Sequence, residues 1–143
     1  MVLAITEVLG NLETLPKNVD TPTGLAAATR AGLSVRIVDT IAVELDIPRI
    51  SVAKLLSISG RTLSRRTSAD ARLTPAESDR LVRLARILAQ SKETLGSMEK
   101  ASRWLQTPNR ALEGDKPFDR LDTDAGVRSV EQVLGRIEYG LYS

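Results

Sequence analysis

Neither cysteine nor histidine occurs among the 143 residues of this chain. Without Cys there is no disulfide, no zinc–thiolate site and no thiol nucleophile. Without His the chain lacks the commonest general base and the commonest metal ligand. Ser-His-Asp catalysis and the His-bearing zinc hydrolase motifs are excluded, so an enzyme would have to work with carboxylates alone or with Mg²⁺. The reading is a protein that is not an enzyme. Aromatics are scarce as well, at 3%, and Trp104, Phe118, Tyr139 and Tyr142 are all of them. Large rigid aromatics dominate binding hot spots and anchor small cores. Their confinement to one end suggests that the two halves of the chain do different jobs. No apolar run approaches the ~18 residues that a membrane span needs. MVLAITEVLG lacks the basic start of a signal peptide, and Glu7 interrupts its apolar stretch. The expectation is a cytoplasmic protein with no membrane partner.

What is present is ordinary for a folded protein: 42% hydrophobic and 27% charged residues, with 20 basic side chains against 18 acidic. The length suits one average domain or two small ones. Residues 106–143 are the acidic part, with seven acidic and five basic side chains. A net charge of +2 does not by itself call for nucleic acid, so a local basic cluster would have to make that case.

Helical spacing recurs along the chain, and no alternating β-branched run competes with it. After an N-terminal arm, a short helix is expected from Leu25 to Ala31, stopped by Gly32. Ser34 is expected to cap a helix to about Asp46, with Val38, Ile41, Ala42 and Leu45 on one face, and Ile47-Pro48 ends it. Ser51 opens the next. Thr74-Pro75-Ala76-Glu77 is the clearest start, with a cap, a proline at the first position and a capping-box glutamate. That helix should run to about Thr94 and bury Leu81, Leu84, Ala85 and Leu88. Gly96 stops it, Ser97 caps a short helix to Leu105, and Thr123 caps a last one to about Tyr139. The predicted fold is all-α, a helix-turn-helix domain followed by a small helical domain. The expected divisions are an arm at 1–22, a first domain at 23–94 and a second at 95–143.

VAKLLSISGRTLSRR, residues 52 to 66, has the spacing of a helix-turn-helix. Ala53 is small where the two helices must touch, Ile58 is apolar in the turn, and Leu63 anchors the second helix. The second helix of such a motif projects polar side chains into the major groove. Ser59, Arg61, Thr62, Ser64, Arg65 and Arg66 offer that surface, since Arg pairs with guanine edges and Ser, Thr and Arg hold phosphates. Two positions depart from the usual pattern: Ser57 stands where glycine is common, and Arg66 where an apolar residue is common. Stable operator binding by such a unit calls for a dimer on two half-sites.

Residues 107 to 123, TPNRALEGDKPFDRLDT, invite a catalytic or metal reading through Asp115, Asp119, Asp122 and the following Asp124. The calcium-loop pattern fails, because Gly126 and the required Glu fall at wrong offsets. Thr123 and Asp124 read instead as the start of a helix. No metal and no cofactor is expected.

The segment from Trp104 to Gly140 resembles the toxin-binding domain of Xre/MbcA/ParS-type antitoxins. Trp104-Leu105, Pro108-Asn109, Leu112, Gly114, Pro117, Leu121, Thr123, Gly126, Val130, Leu134 and Tyr139-Gly140 carry the likeness. RTLSRR and Glu77-Ser78-Asp79-Arg80-Leu81 resemble the family's Xre-type DNA-binding part, so the likeness runs over roughly residues 25 to 143. The resemblance implies the antitoxin half of a bacterial type II toxin–antitoxin pair. Its partner would be a RES-domain toxin that consumes NAD⁺ or uses it to ADP-ribosylate a target. The carboxyl-terminal region would cover the toxin's active-site entrance, and the helix-turn-helix would repress the shared operon as a homodimer within a larger toxin–antitoxin assembly. Toxin-facing residues would be Lys116, Arg120, Glu138, Tyr139, Gly140, Leu141, Tyr142 and Ser143. Trp104 and Phe118 are expected in the core. The alternative reading is a stand-alone helix-turn-helix repressor whose last module dimerises.

Overall fold

The computed structural model describes residues 21–140 together with Val8. Nearly all of the expected N-terminal arm lies outside the described residues, as do Leu141, Tyr142 and Ser143. The chain divides into two compact units, Met1–Arg86 and Ile87–Ser143. The fold is all-α. Among the described residues the only β pairing is one isolated bridge between Ser34 and Arg72.

The first unit holds α1 (Pro22–Ala31), α2 (Arg36–Leu45), α3 (Arg49–Leu55), α4 (Gly60–Ser68) and the start of α5 (Pro75–Leu95). α1 begins earlier than its apolar spacing predicts, because Thr21 caps it by accepting the Gly24 amide at 3.0 Å and Pro22 takes the first position. Ser34, the expected cap of α2, accepts the Arg36 amide at 3.2 Å from a turn ahead of the helix, and Val35 fills the cap position. α3 starts at Arg49 and not at Ser51, since Pro48 leads directly into it. The core collects Leu25, Ile37, Val38, Ile41, Leu45, Val52, Leu56, Leu73, Leu81 and Leu84, all buried. Each such Leu or Ile stabilises the fold by about 1.5–3 kcal/mol. The link from α4 to α5 clasps the link from α1 to α2. Leu73 donates its amide to the Leu33 carbonyl at 2.8 Å, and a Cβ on Gly32 would stand 2.3 Å from the Leu73 carbonyl oxygen.

Three successive helices close in the same way. Asp46, Ser57 and Asp70 follow α2, α3 and α4 in the left-handed conformation, at φ 52°, 61° and 50°. The next amide then reaches back five residues: Ile47 to Ala42 at 3.0 Å, Ile58 to Ala53 at 2.9 Å and Ala71 to Arg66 at 2.9 Å. Glycine usually fills this position, and a side chain there costs roughly 1 kcal/mol.

The second unit holds the rest of α5, then α6 (Met98–Leu105), 3₁₀ turns at Arg110–Leu112 and Pro117–Arg120, and α7 (Asp124–Glu138). Ser97 caps α6 by accepting the Lys100 amide at 3.1 Å, and Thr123 caps α7 by accepting the Gly126 amide at 3.0 Å. α7 packs on both 3₁₀ turns, and α6 on the second. Val127, Val130, Val133 and Leu134 of α7 are buried, with Ala101, Leu105, Leu112 and Leu121. Trp104 and Phe118, expected in the core, are only half-buried.

Candidate functional site

In the first unit the helix-turn-helix geometry centres on α3 and α4. Ala53 is fully buried, and Ile58 and Leu63 are buried beside it. Ser59 caps α4, accepting the Thr62 amide at 3.2 Å and donating its hydroxyl to the Thr62 hydroxyl at 3.0 Å. Arg61, Ser64 and Arg65 are exposed on α4, with Thr62 half-buried. Ser57 holds the left-handed turn position that glycine usually takes, at φ 61°.

Arg66 does not join this outward set. Its Nη1 donates to Glu77 Oε1, and the two side chains are only 18% and 12% exposed. The expected apolar residue at this place is replaced by half of an ion pair. Glu77 Oε1 also accepts the Thr74 amide at 2.8 Å, while Thr74 Oγ1 accepts the Glu77 amide at 3.2 Å, completing the predicted capping box. Burial pushes the Glu77 carboxyl up, but the Thr74 amide and the Arg66 guanidinium outweigh it and hold the group below its ordinary 4.5. Two more arginines brace the motif. Arg49 donates to Thr67 Oγ1 on α4 and pairs with Asp39 at 3.1 Å, and Arg80 donates to the Leu56 carbonyl at 3.2 Å. Nothing in the spacing of Arg66 and Glu77 shows that they meet, so the sequence alone points to a DNA contact for one and a helix cap for the other.

In the second unit the segment from Thr107 to Thr123 is a closed, hydrogen-bonded loop. Asn109 ties it. The Asn109 side chain accepts the Ala111 amide at 2.9 Å, its carbonyl accepts the Gly114 amide at 2.9 Å, and its amide donates to the Asp115 carbonyl at 3.0 Å. Arg120, expected on the contact surface, is a strut within this loop. It donates to the Leu112 carbonyl at 2.8 Å and pairs with Asp115 at 3.2 Å, leaving its side chain 27% exposed. Gly126 explains how the loop seats on α7, since a Cβ there would stand 1.8 Å from the Arg120 carbonyl oxygen. At the other end of α7, Glu138, Tyr139 and Gly140 are exposed, Tyr139 by 79%, and Lys116 is exposed on the loop. Leu141, Tyr142 and Ser143 of the expected surface lie outside the described residues.

The acidic side chains of the loop do not gather. Asp115 pairs with Arg120, and Asp124 pairs with Arg128 at 3.1 Å. Among the described residues there is no group of three or more carboxylates placed to hold a metal ion, and no helix long and apolar enough to cross a membrane.

The chain thus pairs a helix-turn-helix unit with a loop-locked helical unit that ends in an exposed aromatic. Two family models match in the same order: the antitoxin Xre-like helix-turn-helix domain over residues 24–86, and the antitoxin Xre/MbcA/ParS C-terminal toxin-binding domain over residues 90–140. The antitoxin Xre of Yersinia enterocolitica is 33% identical over 122 residues, which is 85% of this chain and 82% of that protein. The antitoxin Xre of Photorhabdus laumondii is 33% identical over 120 residues, 83% of this chain and 81% of that protein. A Prs ADP-ribosylating antitoxin of a Sphingobium species is 31% identical over 97 residues, 62% of this chain and 61% of that protein. A chain in the crystal structure of the M. tuberculosis MbcT–MbcA toxin–antitoxin complex shares the fold, with a TM-score of 0.56 at 23% identity over 76% of this chain and 96% of that one. The protein belongs to the Xre/MbcA/ParS family of antitoxins, with a helix-turn-helix domain ahead of the toxin-binding domain.

Proposed function

We propose that this antitoxin neutralises a RES-domain, NAD⁺-consuming toxin with its second unit and represses its own operon with its first. The observation that carries the toxin half is the exposed Tyr139 at the end of α7, a helix whose other end is seated on the Asn109–Arg120 loop. An aromatic side chain held out on a pre-ordered helix loses little freedom on binding, which favours a tight interface. Tyr139, with Glu138 and Gly140 and the residues after them, enters the toxin's active-site cleft and keeps NAD⁺ out. Lys116 meets the toxin from the loop. Arg61 and Arg65 of α4 contact operator DNA, and two copies of the protein occupy two half-sites. In the bacterial cytoplasm such a repressor sits on the nucleoid when bound.

The test is co-expression with the toxin gene next to this one. Removing residues 138–143 should abolish rescue of toxin-expressing cells while the truncated protein keeps its helical content. Rescue by the truncated protein would return the second unit to a dimerisation role. Substituting both Arg61 and Arg65 with Ala should weaken binding to the upstream DNA without affecting rescue.

A further inference from the structure

α4 is short, nine residues, and Leu63 is its only buried side chain. A helix of that length has no stable orientation of its own, and a single anchor leaves it free to tilt and roll. Its pose must come from elsewhere. Near its last turn two polar ties supply the missing constraints: Arg66 to Glu77, and Arg49 to Thr67, whose hydroxyl also donates to the Leu63 carbonyl at 2.7 Å. Glu77 is a rigid post, because the Thr74 amide and the capping box fix its carboxylate at the first turn of α5. Arg66 meets that post through Nη1 of a planar guanidinium, on a longer side chain than lysine's.

We propose that Arg66 and Glu77 are positioning residues for operator binding, setting the pose of α4 in the groove without touching DNA. The inference rests on the DNA-binding reading above, and it makes a prediction opposite to charge counting. If Arg66 were a phosphate contact, Glu77→Gln would remove a competing negative charge and tighten binding. If Arg66 positions the helix, the same change loosens α4 and weakens binding. Likewise, Arg66→Lys keeps the charge a phosphate contact needs but shortens the side chain and loses the planar group that meets Glu77.

The experiment measures binding of the full chain to a duplex covering the region upstream of its own coding sequence, across a salt series. Glu77→Gln and Arg66→Lys are each expected to weaken binding by about tenfold at every salt concentration, the scale of one charge-assisted hydrogen bond. The slope of log K against log salt should stay at the wild-type value. Arg61→Ala with Arg65→Ala should instead flatten that slope by about 2, one unit per lost phosphate contact. Unchanged or tighter binding by Glu77→Gln, or wild-type binding by Arg66→Lys, would overturn the inference while leaving the DNA reading intact. So would a loss in both variants that merely tracks the fraction unfolded in thermal melts. Failure of the wild-type chain to bind the duplex would overturn the DNA reading, and this inference with it.

Discussion

The two units are held together by different kinds of bond. In the first, the ties join residues far apart in the chain: Arg36 with Asp70, Arg49 with Thr67, Arg72 with the Gly32 carbonyl, and Ser78 with the Leu33 amide. In the second, they join near neighbours: Asn109 with Ala111 and Asp115, Arg120 with Leu112 and Asp115, Thr123 with Gly126. Closing a short loop costs less chain entropy than closing a long one. The surface offered by the second unit is therefore a local product of its own few dozen residues. The surface offered by α4 depends on distant partners. One unit can be weakened at a single residue of its loop, whereas the other must be disturbed at residues that do not belong to its binding surface.

Four substitutions or conditions put this contrast to work. Gly126→Ala should have the largest effect, because its methyl group would collide with the Arg120 carbonyl and unseat the loop from α7. A loss of roughly 3 kcal/mol is expected, seen as faster amide exchange in residues 107–138 with exchange in α2 to α4 unchanged. Equal loss in both units would break the comparison. Tyr139→Ala should weaken toxin binding by on the order of 2 kcal/mol, as loss of an aromatic anchor does. Calorimetry would measure it, and the melting temperature should not move, since Tyr139 is exposed.

Acid should act on the first unit. The folded Glu77 carboxyl lies below its ordinary 4.5, so the stability it contributes is complete above that value and fades as pH falls through the depressed folded one. Urea melts at falling pH should therefore show a loss below pH 4.5 that Glu77→Gln lacks. The smallest effect is a gain. Ser57→Gly should stabilise the chain by roughly 1 kcal/mol by relieving a left-handed serine, read as a higher urea midpoint.

The same contrast explains what the sequence made legible. Trp104 to Gly140 matched a family pattern densely because each residue there serves a neighbour: Thr123 caps toward Gly126, and Gly126 admits the Arg120 carbonyl. Local purposes leave local signatures. Helix starts with a hydroxyl followed by proline were readable at Thr74 and were equally available at Thr21. The partnership of Arg66 with Glu77 was hidden, because two charged residues eleven apart give no sign that a turn brings them together. Arg120, expected to face the toxin, gives no sign in the sequence that it braces Leu112 and Asp115. Asp46 and Ser57 fall where a helix end and a tight turn are expected, whereas Asp70 carries no such signal because the usual glycine is absent from its place.

Those terminators also define a reserve. Glu113, at φ 58° beside Gly114, makes a fourth position where a side chain occupies left-handed backbone. At each of the four, the natural residue is a poorer choice for the fold than glycine, but Asp70 pairs with Arg36 and Glu113 reaches Arg120 at 4.0 Å, so Asp46 and Ser57 are the two that change without breaking either pair. An engineer seeking a hardier version of this antitoxin has a short route: Asp46 and Ser57 to glycine, with both proposed binding surfaces left as they are.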